Sequence, residues 1–251
     1  MARTLPHGQD PVETGPPGTV ESGPPGTVEG GSWADRGRRS LERLDQAAKR
    51  ALDLVLAGLG LLLFGPPLIA IAVAIRLTSP GPALFQQVRV GYRQSAFVML
   101  KFRTMYQDND DAGHRAYVAA MLASANAGAD GGKGIYKLTD DPRVTPLGRL
   151  LRKTSLDELP QLVNVVRGEM SLVGPRPVLP WEAALFETRH RLRFAVKPGI
   201  TGLWQVSGRN ALTMQQALDL DVEYVRDRTL ALDLMTLART IPTVLSTRGA
   251  C

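Results

Sequence analysis

Asp157 and Glu158 are adjacent carboxylates within Lys153-Thr-Ser-Leu-Asp-Glu-Leu-Pro-Gln-Leu162. A charged aspartate in such a pair can serve as a nucleophile or a metal ligand. Pro160 has no backbone N–H and fits only within the first turn of a helix, so the spacing predicts a helix starting a few residues before it. The pair then lies at the positive end of the helix dipole, where an ionised carboxylate is favoured by roughly 0.3–1 kcal/mol. Ser155-x-x-Glu158 and Thr154-x-x-Asp157 also match the capping-box pattern. On local sequence alone, helix capping is therefore the alternative to chemistry.

Cations that would serve such a pair lie on either side of it. Ala83 to Met105 reads as two strands joined near Val90-Gly91-Tyr92, and alternation on the second places Phe97, Met99, Lys101 and Arg103 on one face. That face is either a compact cationic site or a solvated strand edge. Leu147 to Lys153 repeats at helical spacing, with Arg149, Arg152 and Lys153 on one side. After the pair, Arg176 stands between two prolines in Leu172-Val-Gly-Pro-Arg-Pro177. An arginine so restrained loses little entropy on gripping a phosphate or carboxylate. Lys197 to Arg209 holds three glycines, Trp204 and two cations, which suits a tight connection around a core tryptophan or a loop where backbone approaches a nucleotide. Neither Gly-x-Gly-x-x-Gly nor a Walker motif is present. His7, His114 and His190 are scattered, without the spacing of zinc ligands.

Stepwise from the amino terminus, residues 1–35 contain Gly15-Pro-Pro-Gly-Thr-Val-Glu21 and its repeat Gly23-Pro-Pro-Gly-Thr-Val-Glu29, and their composition predicts disorder. Leu41, Leu44, Ala47, Ala48 and Ala51 then recur at helical spacing with Arg43, Lys49 and Arg50 on other faces, as in a basic helix on a membrane surface. Leu54 to Ile75 is 22 residues without a charge, long enough to span ~30 Å of hydrocarbon. Gly65-Pro66-Pro67 interrupts it at the midpoint, and both flanks are basic, so the positive-inside rule wants both ends in the cytoplasm. A re-entrant hairpin is expected in preference to a spanning helix. Residues 107–134 read as a loop with a short helix over 114–123. Trp181 to Phe194 reads as helical, and Asp219 to Thr247 as one or two amphipathic helices that rest on the bilayer or cover the core. The chain carries a formal net charge of +6, pointing to an anionic partner. Its one cysteine, Cys251, permits no internal disulfide and suits a reducing compartment.

The basic helix with its broken apolar segment, Lys101-Phe-Arg-Thr-Met105, Leu151-Arg-Lys-Thr-Ser-Leu-Asp-Glu-Leu-Pro-Gln-Leu162, Met170-Ser-Leu-Val-Gly-Pro-Arg-Pro177 and Pro198-Gly-Ile-Thr-Gly-Leu-Trp-Gln-Val-Ser-Gly-Arg209 resemble, in that order, the bacterial sugar transferases, or monotopic phosphoglycosyl transferases. The likeness runs from about Lys49 to Ala250. It implies an α+β fold: a re-entrant membrane helix hairpin over 36–78, then a cytoplasmic catalytic domain over 79–251 with amphipathic interfacial helices and a small strand pair. It implies transfer of hexose 1-phosphate, from UDP-glucose or UDP-galactose, to a polyprenyl phosphate at the bacterial inner membrane, initiating exopolysaccharide assembly. Asp157 is then the nucleophile and Glu158 its partner, the two holding Mg2+, with Lys101, Arg103, Arg152, Arg176 and Arg209 as substrate-binding cations. The partners are the two substrates and membrane lipid, with room for a homodimer and no nucleic acid. Small members of the family commonly carry Ser-Pro at the membrane break, where this chain has Gly65-Pro66-Pro67. The rival readings are a single-pass adaptor whose basic part binds anionic lipid or nucleic acid, and a family member of regulatory or lost activity.

Overall fold

The computed structural model describes residues 33–106, 115, 116, 118–120, 141–208 and 212–245, with side chains placed from residue 44. The repeat segment, most of the loop after residue 106, and Arg209 lie outside the described residues. The chain divides into two units, Met1–Arg39 and Ser40–Cys251, and every site discussed below belongs to the second.

α1 (Trp33–Thr78) is the long apolar helix. Over Leu44–Thr78 it is long and apolar enough to cross a membrane, and little of it is buried. Leu59, Leu62, Leu63, Phe64, Ile69 and Val73 face outward. Pro66 and Pro67 lie inside α1, so the expected break does not end the helix. A second set of α1 residues packs inward. Ala57 is fully buried with Val165, Met170 and Tyr224, and Leu61 packs against that cluster. Beyond the prolines, Leu68, Ile71, Ala72 and Ile75 pack with Phe102 and Leu151.

β1 (Leu84–Val90) and β2 (Ala96–Phe102) form the expected antiparallel pair, in register from Leu84 opposite Phe102 to Val90 opposite Ala96. α2 (Pro146–Thr154) follows, its first turn capped by the Thr145 hydroxyl, which accepts from the Gly148 N–H at 2.9 Å. α2 lies directly on the exit of β2: a Cβ at Gly148 would stand 2.1 Å from the Thr104 carbonyl oxygen. α3 (Gln161–Arg167) ends at Gly168 in the left-handed conformation, as its glycine predicts. β3 (Ser171–Val173) and β4 (Gly199–Thr201) pair in parallel. A Cβ on Gly199 would fall 2.1 Å from the Gly174 nitrogen. Two stretches of this chain therefore meet backbone to backbone, which is what those glycines serve, and Trp204 is a core residue.

The helix expected over Trp181–Phe194 is two pieces, α4 (Pro180–Ala184) and a 3-10 stretch (Thr188–Ala195). The change of course lets Phe186 and Phe194 stack with centroids 6.3 Å apart in the core. α5 (Leu203–Ser207), α6 (Met214–Asp227) and α7 (Leu230–Leu245) complete the chain. The fold is thus mixed helix and strand with one long apolar amino-terminal helix.

Gly148→Ala forces α2 away from Thr104, because the atoms it meets are backbone. It is expected to destabilise the protein by about 1–3 kcal/mol, read as a lower midpoint of thermal unfolding.

Candidate active site

α2 stops at Ser155, whose φ of 57° is left-handed, and the chain makes a 3-10 turn, Leu156–Glu158, before α3. Pro160 stands just before the first residue of α3, so the α-helix starts after it and not a few residues before, and the carboxylates lie in the separate 3-10 turn. Neither capping box forms. The Thr154 hydroxyl donates back to the Leu150 and Leu151 carbonyls, and Ser155 makes no side-chain cap bond.

Glu158 Oε1 accepts from Lys101 Nζ at 2.9 Å and from Arg176 Nη2 at 3.2 Å, and Asp157 beside it is buried. Burial holds the Lys101 ammonium below its ordinary pKa, opposed by Glu158 and Asp157 and reinforced by Arg176 and Arg89. Burial likewise lowers the Arg152 pKa, while Asp157 and Asp141 favour its charge. Three cations thus attend two carboxylates, which leaves the site an excess of positive charge suited to a phosphorylated ligand.

The flanking elements fix this geometry. Asn164, wholly buried on α3, accepts from the Leu100 N–H at 3.0 Å and donates to the Val98 carbonyl at 2.7 Å. It thereby docks the helix that follows the carboxylates against the strand that carries Lys101. Thr104 holds α2 twice: its carbonyl accepts from the Thr145 N–H at 3.0 Å, and its hydroxyl from Arg152 Nε at 3.0 Å. The loop around Arg176 is fixed by its carbonyls. Pro175 O accepts from Gly199 N, Arg176 O from Arg193, Pro177 O from Arg89 and Val178 O from Val90 N.

Lys101, Arg152 and Arg176 therefore come together at the pair. Arg103 does not. It lies just past the end of β2, and its guanidinium donates to the Ser79 carbonyl and hydroxyl and the Pro80 carbonyl, with the Ile75 carbonyl at 3.5 Å. Carbonyls of Ser79 and Pro80, just past the carboxyl end of α1, hold this cation, so it clamps the exit of the membrane helix and is directed away from the carboxylates. Arg209 lies outside the described residues. Asn164, Thr104, Arg89 and Arg193 were not singled out from the sequence, since an amide or a lone arginine has no signature until its partner is known. A groove of about 630 Å3 lined by Leu203, Leu232, Met235, Glu223 and Arg239 among others shares no residue with this site.

The model of the family described as bacterial sugar transferase matches residues 44–247. The chain is 40% identical over 204 residues to the exopolysaccharide production protein ExoY of Rhizobium meliloti, an alignment covering 81% of this chain and 88% of the relative. It is 41% identical over 212 residues to the UDP-glucose:undecaprenyl-phosphate glucose-1-phosphate transferase of Caulobacter vibrioides, covering 80% and 71%. It is 41% identical over 202 residues to the UDP-galactose-lipid carrier transferase of Erwinia amylovora, covering 80% of this chain and 41% of that longer protein. The chain belongs to the bacterial sugar transferases. It is a phosphoglycosyl transferase, as the motifs implied, and with α1 a membrane-associated one.

Replacing Lys101 by Met keeps the length of the side chain and removes its charge from the carboxylates. Sugar-phosphate transfer is expected to fall by roughly ten- to a thousandfold with little change in thermal unfolding. The same assay on Arg103→Met is expected to report mainly on stability, through loss of the clamp on α1.

Proposed function

We propose that this chain transfers hexose 1-phosphate from UDP-glucose or UDP-galactose to a polyprenyl phosphate, in two displacements through a phosphosugar on Asp157. An Asp157 carboxylate oxygen attacks the β-phosphorus of the UDP-sugar. The bond from that phosphorus to the bridging oxygen breaks, and UMP leaves with the electron pair. A phosphate oxygen of the polyprenyl phosphate then attacks the same phosphorus, displacing the Asp157 carboxylate and giving a polyprenyl diphosphate sugar. The observation that carries this reading is the Asp157-Glu158 turn, where Asp157 is buried beside Glu158 and Glu158 is gripped by Lys101 and Arg176.

The chain's own groups supply the remaining requirements. Charge spreads over phosphoryl oxygens in such a transition state and is stabilised by preorganised cations. Lys101 and Arg152 attend the reacting phosphate, and Arg176 attends the nucleotide side. Glu158 holds Lys101 and Arg176 in place and accepts the proton of the incoming lipid phosphate when that oxygen carries one. Among the described residues no three His, Cys, Asp or Glu side chains converge on a point. Two adjacent carboxylates completed by substrate phosphate oxygens and water nevertheless suit Mg2+, which prefers few protein ligands. Asp157 and Glu158 would hold it, and it would supply charge neutralisation on the diphosphate.

α1 is read as a re-entrant helix, bent at Pro66-Pro67, entering and leaving on the cytoplasmic side of the bacterial inner membrane. Both ends of its apolar stretch bond to the same domain. Before it, Lys49 donates to Asp233 at 2.6 Å, Arg50 to the Val165 carbonyl at 2.7 Å, and Asp53 accepts from the Leu172 N–H at 3.0 Å. After it, Ser79 and Pro80 accept from Arg103. A helix crossing ~30 Å of hydrocarbon would put those ends on opposite sides.

Incubating the purified protein with labelled UDP-glucose or UDP-galactose and Mg2+, without lipid acceptor, is expected to place a phosphosugar on Asp157, found by peptide mass analysis, with release of UMP. An adduct that persists in Asp157→Asn, or forms on another residue, contradicts the mechanism.

A further inference from the structure

Of the four donors that fix the carbonyls from Pro175 to Val178, two are arginines with buried counter-ions, Arg89 with Glu182 at 3.8 Å and Arg193 with Asp221 in the closer pair. Arg193 Nη2 donates to the Arg176 carbonyl at 2.6 Å and to Asp221 Oδ2 at 2.7 Å, and its guanidinium lies over the Phe186 ring at 5.2 Å. Both charged side chains are almost wholly buried, at 2% and 3% exposure. Burial pushes the Asp221 carboxyl up to about 6 against the pull of Arg193 and Arg176, so the pair stays charged at neutral pH. A buried ion pair is a weak source of stability, because desolvation offsets much of the attraction. What this one fixes is geometry: Asp221 on α6 orients Arg193, and Arg193 holds the peptide from which Arg176 reaches Glu158.

We propose that Arg193 and Asp221 are positioning residues for Arg176, setting the Pro-Arg-Pro loop at the distance from the Asp157-Glu158 turn where its guanidinium can meet Glu158 and a donor phosphate together. The proposal rests on the reading of Arg176 as a phosphate-binding group. A shift of about 1 Å in such a group can cost on the order of a hundredfold in rate. The neighbouring contacts on these elements, Asp219 with Arg189 at 3.2 Å and with His190 at 2.9 Å, join α6 to the same 3-10 stretch without a bond to the loop carbonyl. They give a control on merely joining the two elements.

A double-mutant cycle on the full-length protein tests this, with kcat and KM for the UDP-sugar measured beside thermal unfolding. Asp221→Asn and Arg193→Lys are each expected to lower kcat/KM for the donor by about tenfold or more. In an Arg176→Ala background either change is expected to have no further effect beyond about twofold. Asp219→Asn is expected to leave kcat/KM unchanged. If a single variant does not fold, the pair Arg193→Met with Asp221→Leu preserves apolar volume and carries the same expectation. Losses that multiply in the Arg176→Ala background would mean a general structural role and overturn the proposal while leaving the role of Arg176 standing. An Arg176→Ala enzyme of undiminished activity would overturn both.

Discussion

The apolar length of α1 is fastened at both ends to one folded domain, and the arrangement of the site depends on that. At the entry, Lys49 bonds Asp233, which is also bonded by the Tyr224 hydroxyl at 2.7 Å. Burial, reinforced by Asp233, raises the Tyr224 pKa, so the phenol remains a donor. Asp53 binds β3 through Ser171 Oγ and the Leu172 N–H. At the exit Arg103 donates to the Ser79 and Pro80 carbonyls just past the helix end. Asp53, Arg103 and Asp233 are buried, so losing a partner at any of them leaves a charge poorly solvated. Between them, outward-facing leucines, Phe64, Ile69 and Val73 are left uncovered by the protein.

The turn that carries Asp157 and Glu158 is bracketed by those two fastened arms. Leu156, on one side of the pair, packs against the cluster of Ile75, Phe102 and Leu151 that Leu68 and Ile71 of the second half of α1 also join. Leu162, on the other, lies against the first half, where a Cβ on Gly60 would come within 3.1 Å of it. Lys101 is two residues from Arg103, roughly 7 Å along an extended chain, so the cation that holds Glu158 and the cation that holds the membrane helix share one stretch of backbone. The turn with the two carboxylates is thereby set next to the apolar segment. From the far side, the carbonyl-bonded Pro-Arg-Pro loop closes on the same carboxylate.

Much of this was legible in the chain before its fold was known. The strand pair, the α2 helix and the stop at Gly168 follow from alternation, helical spacing and a terminal glycine, whereas the gathering of Lys101, Arg152 and Arg176 at the pair was implied only by the family resemblance. Capping was a fair local reading of Ser155 and Glu158, and it failed because Ser155 adopts a left-handed conformation to end α2 while Glu158 meets cations from distant sequence. Alternation put Arg103 with Lys101, but periodicity carries no information on what waits beyond the last paired residue. The glycines after Lys197 were ambiguous for a similar reason: a close approach is visible in sequence, its partner is not. Buried connectors such as Asn164, Thr104 and the Arg193–Asp221 pair act only through long-range contacts, so composition and spacing could not reveal them.

The claim that both ends of α1 meet one domain on one side of the membrane is tested most directly by single cysteines at Ser40 and Ser95, in a chain whose Cys251 is replaced by Ser. Intact cells are treated with a membrane-impermeant thiol reagent, and permeabilised cells serve as the control. The account predicts no labelling at either position from outside and labelling at both after permeabilisation. Labelling of one position in intact cells would show that α1 spans, and would contradict the account.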